Sequence, residues 1–222
     1  MPPVIFIKKK QANPVSSLSF LASASAYGAS ITVPSNVQED DILVLFQLSQ
    51  NNVIAEVLPA GFQSLITITS TIGTIPGRHS ISAKIADGSE ASSALMGMDD
   101  SFDYKGLLVF RPDGRVGVLT GASTVSIVTA GDPSPLAITS SDATPPFIVF
   151  ANYSEDSTLF TSGNSFVPTE DDMVPFPDSG YATFWAAYKI YNEEGSTGVS
   201  IDMTDHGDCN ALFGVILQVA SS

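Results

Sequence analysis

Two acidic groups hold side chains at spacings that could do chemistry. Asp202, Asp205 and Asp208 stand three residues apart between strand-like runs, and Asp99, Asp100 and Asp103 form a second group. An oxygen-rich loop of this kind can hold a hard cation such as Ca²⁺, although neither spacing matches an EF-hand loop. Paired carboxylates also serve glycoside hydrolysis, one protonating the leaving oxygen while the other attacks or activates water. The chain carries twenty-three acidic residues, so carboxylate pairs arise almost anywhere and their number selects no site. A Ser/His/Asp hydrolase needs a base held against its nucleophile. The only histidines are His79, at the head of a predicted strand, and His206, in a predicted loop, and no serine sits in a Gly-x-Ser-x-Gly elbow. Trp185 with Tyr181, Tyr188 and Tyr191 could stack on sugar rings. Trp185 and Tyr191 share one strand face and Tyr188 takes the other, a spacing equally expected of core or subunit interface. There is no Gly-rich phosphate loop, haem motif or zinc spacing. The single cysteine, Cys209, precludes an internal disulfide and reads as a small buried side chain. No catalytic, cofactor-binding or metal residue is therefore assigned, and the chain is expected not to be an enzyme.

A second reading of the aspartates comes from internal repetition. A shift of 105 positions pairs Lys84 with Lys189, Ile85 with Ile190, Met98 with Met203, Asp100 with Asp205, Asp103 with Asp208 and Leu107 with Leu212. Upstream the shift becomes 104, pairing Phe46 with Phe150 and Phe62 with Phe166. Ordered identities at a nearly fixed offset indicate a duplicated unit with one loop residue gained. Aspartates that recur with a fold are well suited to turns, where their side chains bond the local backbone. That reading outweighs calcium.

The elements that must carry these residues are strands. Ile42–Leu48 is apolar at nearly every position, so a strand there has both faces covered. In Phe62–Ile72 the residues Ile66 and Ile68 alternate with threonines, and Ile81, Ala83 and Ile85 alternate with Ser80, Ser82 and Lys84. Asp87-Gly88 is a hairpin signal, with Ala91–Met98 as the returning strand. In the second unit, Phe184, Ala186, Tyr188 and Ile190 face one way, and Val199–Met203 returns after a turn at Asn192–Gly195. Gly114–Gly121 reads as a surface excursion carrying one short strand. Glu155–Gly180 is the least regular stretch, of the kind that carries specificity on a β scaffold. No amphipathic helix of three turns occurs, and strands recur at about eight to twelve residues. The fold class is all-β: an antiparallel, jelly-roll-like β-sandwich of two similar halves with an extended N-terminal arm. The expected divisions are an arm at 1–29, a first half at 30–122 and a second at 123–222, forming two units or one continuous domain.

Nine basic residues against twenty-three acidic ones give a formal net charge of −14, which argues against a nucleic-acid partner. The only basic run is Lys8-Lys9-Lys10. No apolar run reaches about eighteen residues, so no membrane-inserting helix is expected. The apolar segment Val4–Ile7 precedes the lysines, the reverse of a signal peptide. Hydroxyl-rich, charge-poor strands suit burial between subunits, and a homo-oligomer is expected.

The phrase Ile31-Thr32-Val33-Pro34-Ser35-Asn36-Val37-Gln38-Glu39-Asp40-Asp41-Ile42-Leu43-Val44-Leu45 is followed by Pro59-Ala60-Gly61-Phe62, Lys84-Ile85-Ala86-Asp87-Gly88 and Val109-Phe110-Arg111-Pro112. Together these resemble the pattern of β-sandwich virion structural proteins of tailed bacteriophages, approximately ITVPSGVQAGDLLVL, a P-x-G-F/W turn, K-x-A-D-G and V-F-R-P. Glu39-Asp40-Asp41 departs from the usual Ala-Gly-Asp and removes a glycine from the turn. The resemblance covers residues 30–112 and reaches the second half only through the repeat. It implies a head-decoration, cement, fibre or tail-associated role on the virion, made in the host cytoplasm, with other capsid or tail proteins as partners. The alternative it leaves is an adhesin binding host-surface glycan through the 155–180 stretch. It carries no catalytic residue across.

Overall fold

The apolar run opening at Ile42 becomes the middle strand of a five-stranded sheet. The computed structural model describes residues 15–50, 57–72, 75–97, 103–126, 136–138, 146–155, 173–175, 183–192, 199–201 and 209–221, and among them there is no helix. The first half supplies β1 (Leu18–Tyr27), β2 (Ser30–Thr32), β3 (Ile42–Gln50), β4 (Gln63–Ile72), β5 (Ile75–Ile85), β6 (Ala94–Met96) and β7 (Asp103–Pro112). The second supplies β8 (Val116–Ser126), β9 (Leu136–Ile138), β10 (Phe147–Glu155), β11 (Met173–Pro175), β12 (Thr183–Tyr191), β13 (Val199–Ile201) and β14 (Cys209–Ser221).

One sheet has the order β1-β7-β3-β5-β4 and the other β8-β14-β10-β12-β11; two-stranded sheets β2-β6 and β9-β13 accompany them. Each strand of the first half thus has its counterpart seven strands later, in the same place, so the repeat seen in sequence is a repeat of topology. Every pairing is antiparallel. The registers have slid. Phe46 lies opposite Ile81 and Gly106, whereas its counterpart Phe150 lies opposite Tyr188 and Val215. The sequence offset would put Ala186 and Ala211 there, so the slips are two and four residues. Both are even, and Ile148, Tyr188 and Val215 accordingly share the inner core with Val44, Ala83 and Phe110, the residues that the offsets align with them.

The two large sheets share one core. Ile42, Val44, Phe46 and Leu48 of β3 pack with Ile81 of β5 and Leu108 and Phe110 of β7, against Ile148, Tyr188, Val215 and Leu217 of the second sheet. Phe20, Phe110 and Tyr188 join the sheets through ring contacts, with centroids 5.0 to 5.9 Å apart. The odd residues of β3, Leu43 and Leu45, point the other way with Leu107 and Val109, and are covered by Ile31, Val33, Val37, Phe62, Ala86 and Leu95. The expectation that Ile42–Leu48 is buried on both faces holds at each of its residues.

Four expectations change. Residues 18–27, assigned to an arm, form an edge strand paired with β7, because Ala22, Ala24 and Ala26 pack on the outer core while Leu18 enters the inner one. The 114–121 excursion is the start of the eleven-residue β8, so the second sheet begins before residue 123. Ala91–Met98 does not return along β5: its strand, β6, pairs with β2. Val199–Met203 repeats this behaviour, since β13 pairs with β9. At the first of these turns Glu90 accepts from the backbone N–H groups of Asp87 and Gly88, which closes a local loop in place of a two-residue hairpin.

A shared core means that damage in one sheet is felt in the other. Phe46→Ala is expected to cost about 3–5 kcal/mol. Trp185, the only tryptophan, lies on β12 and reports the second sheet. Its fluorescence in a denaturant titration should shift to a lower midpoint together with far-UV circular dichroism; an unmoved Trp185 transition would show two independent sheets.

Candidate functional site

The four segments that carry the virion-protein resemblance lie far apart in sequence and meet at one end of the first sheet. Asp41, at the mouth of β3, is 1 % exposed. Its carboxylate accepts from Arg111 Nε at 2.8 Å, Arg111 Nη2 at 2.7 Å and the Gln38 backbone N–H at 2.8 Å. Arg111 also donates to the Asn36 carbonyl at 2.9 Å, so one guanidinium fixes both the carboxylate and the preceding turn. Such two-pronged pairs are geometrically exacting and roughly twice as strong as neutral hydrogen bonds. The aspartate of the first segment and the arginine of the fourth are thus partners.

The other two segments complete the layer. Asp40 N–H donates to the Ala86 carbonyl and Ala86 N–H to the Asp41 carbonyl, stitching the first segment to the third. Gly61, at φ +82°, presses on the Lys84 side chain; a Cβ there would lie 3.1 Å from Lys84 Cε. Phe62 then enters the outer core beside Val33 and Ala86. Lys84 pairs with Glu90 at 2.5 Å and with Asp87 at 3.4 Å. Burial works against the Lys84 ammonium, but Glu90 and Asp87 outweigh it and raise its pKa. Hydrogen bonds from the Ser89 hydroxyl and backbone hold Asp87 down at about 2. The missing glycine has a visible consequence: Asp40 itself adopts φ +71°. An L-residue there carries a cost that glycine would not.

Asp113 sits close by, after β7, and anchors the chain entering β1. It accepts from the backbone N–H groups of Ser16 and Ser17 and from the Ser16 hydroxyl. These bonds, the hydroxyl's first, hold its carboxyl well below the usual carboxylate range.

At the other end of the sheet sequence reasoning missed a buried cation. Lys105 and Gln47 are directly opposed on β7 and β3, and both are fully buried. Lys105 donates to the Gly28 carbonyl and Gln47 Nε2 to the Val57 carbonyl at 3.1 Å, tying two connecting segments to the sheet. Gly97 closes over them, and a Cβ there would lie 2.1 Å from Gln47 Oε1. In sequence Lys105 has the look of an exposed strand lysine; the one available signal was that its flanks, Tyr104 and Gly106–Phe110, leave little room for a solvent face.

Of the residues singled out for chemistry, His79 is buried on β5, where it lies opposite Leu48 and Ile68. Tyr188 is in the inter-sheet core and so is withdrawn from any aromatic platform, while Tyr191 is half-buried with Lys189 5.7 Å over its ring. Asp103, Trp185 and Cys209 are placed on β7, β12 and the first position of β14. Asp99, Asp100, Tyr181, Asp202, Asp205, His206 and Asp208 lie outside the described residues, as do Val4–Ile7, Lys8–Lys10, Phe166 and most of the 155–180 stretch; its Met173–Pro175 is the edge strand β11. Among the described residues no three metal-ligating side chains converge.

What does converge is a clamp. Arg111 and Asp41 hold the outer layer on the sheet, and its loss and its strain are separable. Asp41→Ala is expected to lower stability by about 3 kcal/mol, leaving Arg111 without its partner in a half-buried site. Asp40→Gly should raise stability by about 1 kcal/mol despite losing a weak contact with Arg115, because positive φ suits glycine. Chemical denaturation of both variants checks the opposite signs. Asp113 gives a pH dependence. Its pKa is depressed in the folded state, so its contribution is complete above the ordinary value of 3.8 and lost as pH falls below it. Asp113→Asn should therefore flatten the acid limb of a stability–pH curve and leave the slope above pH 5 unchanged. A scan against protein-family models, a search of curated proteins and a search of solved structures each find no significant match.

Proposed function

We propose that this protein is a non-enzymatic structural protein of a bacteriophage virion, assembling as a homo-oligomer on the capsid or tail in a decoration, cement or fibre role. One observation carries the assembly reading. The edge strands β1, β4 and β8 are ten, ten and eleven residues long and contain no charged residue and no proline. Edges of a sheet present unpaired N–H and C=O groups, and proteins that stay monomeric blunt them with charges, prolines, bulges or brevity. Here the charges that occur in the long strands lie on interior ones: Arg78 and Lys84 on β5, Asp103, Lys105 and Arg111 on β7, Glu155 on β10 and Lys189 on β12. The remaining edge, β11, is three residues ending in Pro175.

Each of these long edge strands carries one register irregularity, but no charge or proline guards any of the three. Among the described residues each long edge strand is paired on one side only, and its sequence is largely Ser, Thr, Ala and aliphatic, the chemistry of strand addition. The virion assignment draws on the resemblance of residues 30–112, whose four segments act together as one scaffold layer. The same reading assigns the clamp no ligand: its task is to keep the sheet rigid while its edges and surface meet neighbours.

Light scattering of the purified protein should give a mass above one chain, and the protein should bind saturably to particles lacking it. Ser25→Lys on β1 and Thr69→Lys on β4, both at exposed positions, should reduce both properties and leave the circular dichroism spectrum unchanged. A monomer that does not bind such particles would overturn the proposal.

A further inference from the structure

Independently of any role in assembly, we infer that the two Asp-Gly bonds of this chain are latent sites of backbone isomerisation that the fold holds shut, with Glu90 guarding the first. The pairs are Asp87-Gly88 and Asp113-Gly114, and the chain has no Asn-Gly. In such a pair the glycine backbone nitrogen can attack the aspartate Cγ. The new C–N bond closes a five-membered succinimide, and a carboxyl oxygen leaves as water. Water then reopens the ring, mainly so that the main chain runs through Cγ, an isoaspartate with one extra methylene in the backbone. Glycine permits this best because it has no side chain to obstruct the ring. The step needs a protonated carboxyl, a nitrogen that has given up its proton, and a turn free to bring the two together.

At Asp87 all three are opposed. Its side chain is 61 % exposed, so packing does not restrain it. Oδ1 accepts from the Ser89 hydroxyl at 2.5 Å and the Ser89 backbone N–H at 3.0 Å, and Oδ2 faces the Lys84 ammonium at 3.4 Å. These partners, the Ser89 hydroxyl first, keep the group a carboxylate, the form that does not lose water. With its carboxyl at about 2 in place of the ordinary 3.8, the reactive protonated form is rarer by more than about tenfold. The Gly88 N–H donates to Glu90 Oε2 at 3.0 Å, and the Asp87 N–H donates to both Glu90 oxygens. An anion that accepts from an N–H makes that proton harder to remove. Glu90 is itself 4 % exposed and paired with Lys84, which fixes it under the turn. Glu39 backs the turn, since a Cβ on Gly88 would lie 3.5 Å from its Cβ.

Asp113 is engaged as fully. Its Oδ1 accepts from the Ser16 and Ser17 backbone N–H groups at 2.8 and 3.0 Å, and its Oδ2 from the Ser16 hydroxyl at 2.5 Å. The two sites flank the clamp. An extra methylene directly after Ala86 would part its bonds with Asp40 and Asp41, and one directly after Pro112 would unseat the root of β1.

Ageing the purified protein at neutral pH and body temperature for several weeks tests this. Isoaspartate is counted by enzymatic methylation and located by peptide mapping, with the same chain in denaturant as the unprotected reference. Folded wild type should isomerise at Asp87 and Asp113 more slowly than the denatured chain by at least about tenfold. Glu90→Gln keeps an acceptor and removes the anion. It should speed Asp87 about tenfold, the ratio of a charge-assisted to a neutral hydrogen bond, and leave Asp113 unchanged. Ser89→Ala should act in the same direction at Asp87 alone, and Ser16→Ala at Asp113 alone. Equal rates in folded and denatured wild type would overturn the inference. An Asp87 rate unmoved in Glu90→Gln would overturn the role of Glu90. A rise at both sites in Glu90→Gln and in Ser89→Ala would do the same, tracing protection to global stability.

Discussion

Two adjacent strands, β3 and β7, are buried on both faces, and most of the structure follows from covering them. An antiparallel sheet ordinarily leaves one face to water. Here the even residues of β3 demand a partner on one side and the odd residues demand one on the other. The second sheet satisfies the first demand. The connections between strands, with the small β2-β6 pair, satisfy the second, and they do so only while the turns that bear Val33, Val37, Phe62 and Ala86 are held down. That is the task of Asp41 and Arg111. An ion pair at the rim is a weak source of net stability on its own. Here it sets the position of a turn, and the turn positions apolar side chains whose burial supplies the larger energy.

The parts of this arrangement that were legible in the sequence are those with a local signature. β3 announced itself by an unbroken apolar run, β5 by alternation, and the duplication by ordered identities. The pairing of β6 with β2 was not legible, because Asp87-Gly88 is a valid hairpin signal and nothing near it reveals that Glu90 will fold back on the turn. β1 was read as arm for a related reason: serine and alanine give no strong period, and their strand is specified by β7 and the outer core. The Asp41–Arg111 pair spans seventy positions of sequence. The resemblance placed both residues in quoted segments without indicating that they touch. The buried Lys105 was hidden because charge is the sequence signal for exposure, and its burial depends on Gly97 and Gly28 arriving from elsewhere.

The placement of charge also bears on assembly. A chain with few cations has placed Arg111 and Lys84 in rim clamps and Lys105 under a glycine, all on interior strands. Cations so committed are not available to protect edges. The long edge strands β1, β4 and β8 are then left with uncharged side chains, among them many hydroxyls. A net charge of −14 opposes indiscriminate stacking of such edges at a distance.

The duplication sharpens this division of labour. Topology is the same in both halves, while the even-numbered slips in register show that face, and not residue-by-residue pairing, was what had to survive. The clamp was under no such constraint. The sequence offset puts Pro145 where Asp41 stands and Ile216 where Arg111 stands, and the slid register brings Ala220 rather than Ile216 to that end, so neither the acid nor the base of the first half recurs in the second. The matching end of the second sheet is instead held by the Gln218 side chain and the Val219 backbone N–H, both donating to the Pro146 carbonyl at 3.4 Å. Among the described residues the first sheet alone has a rim ion pair at this end, and its edge strand is also tied at its root by Asp113 and Asn192, so contacts far apart in sequence fix where the chain enters and leaves it.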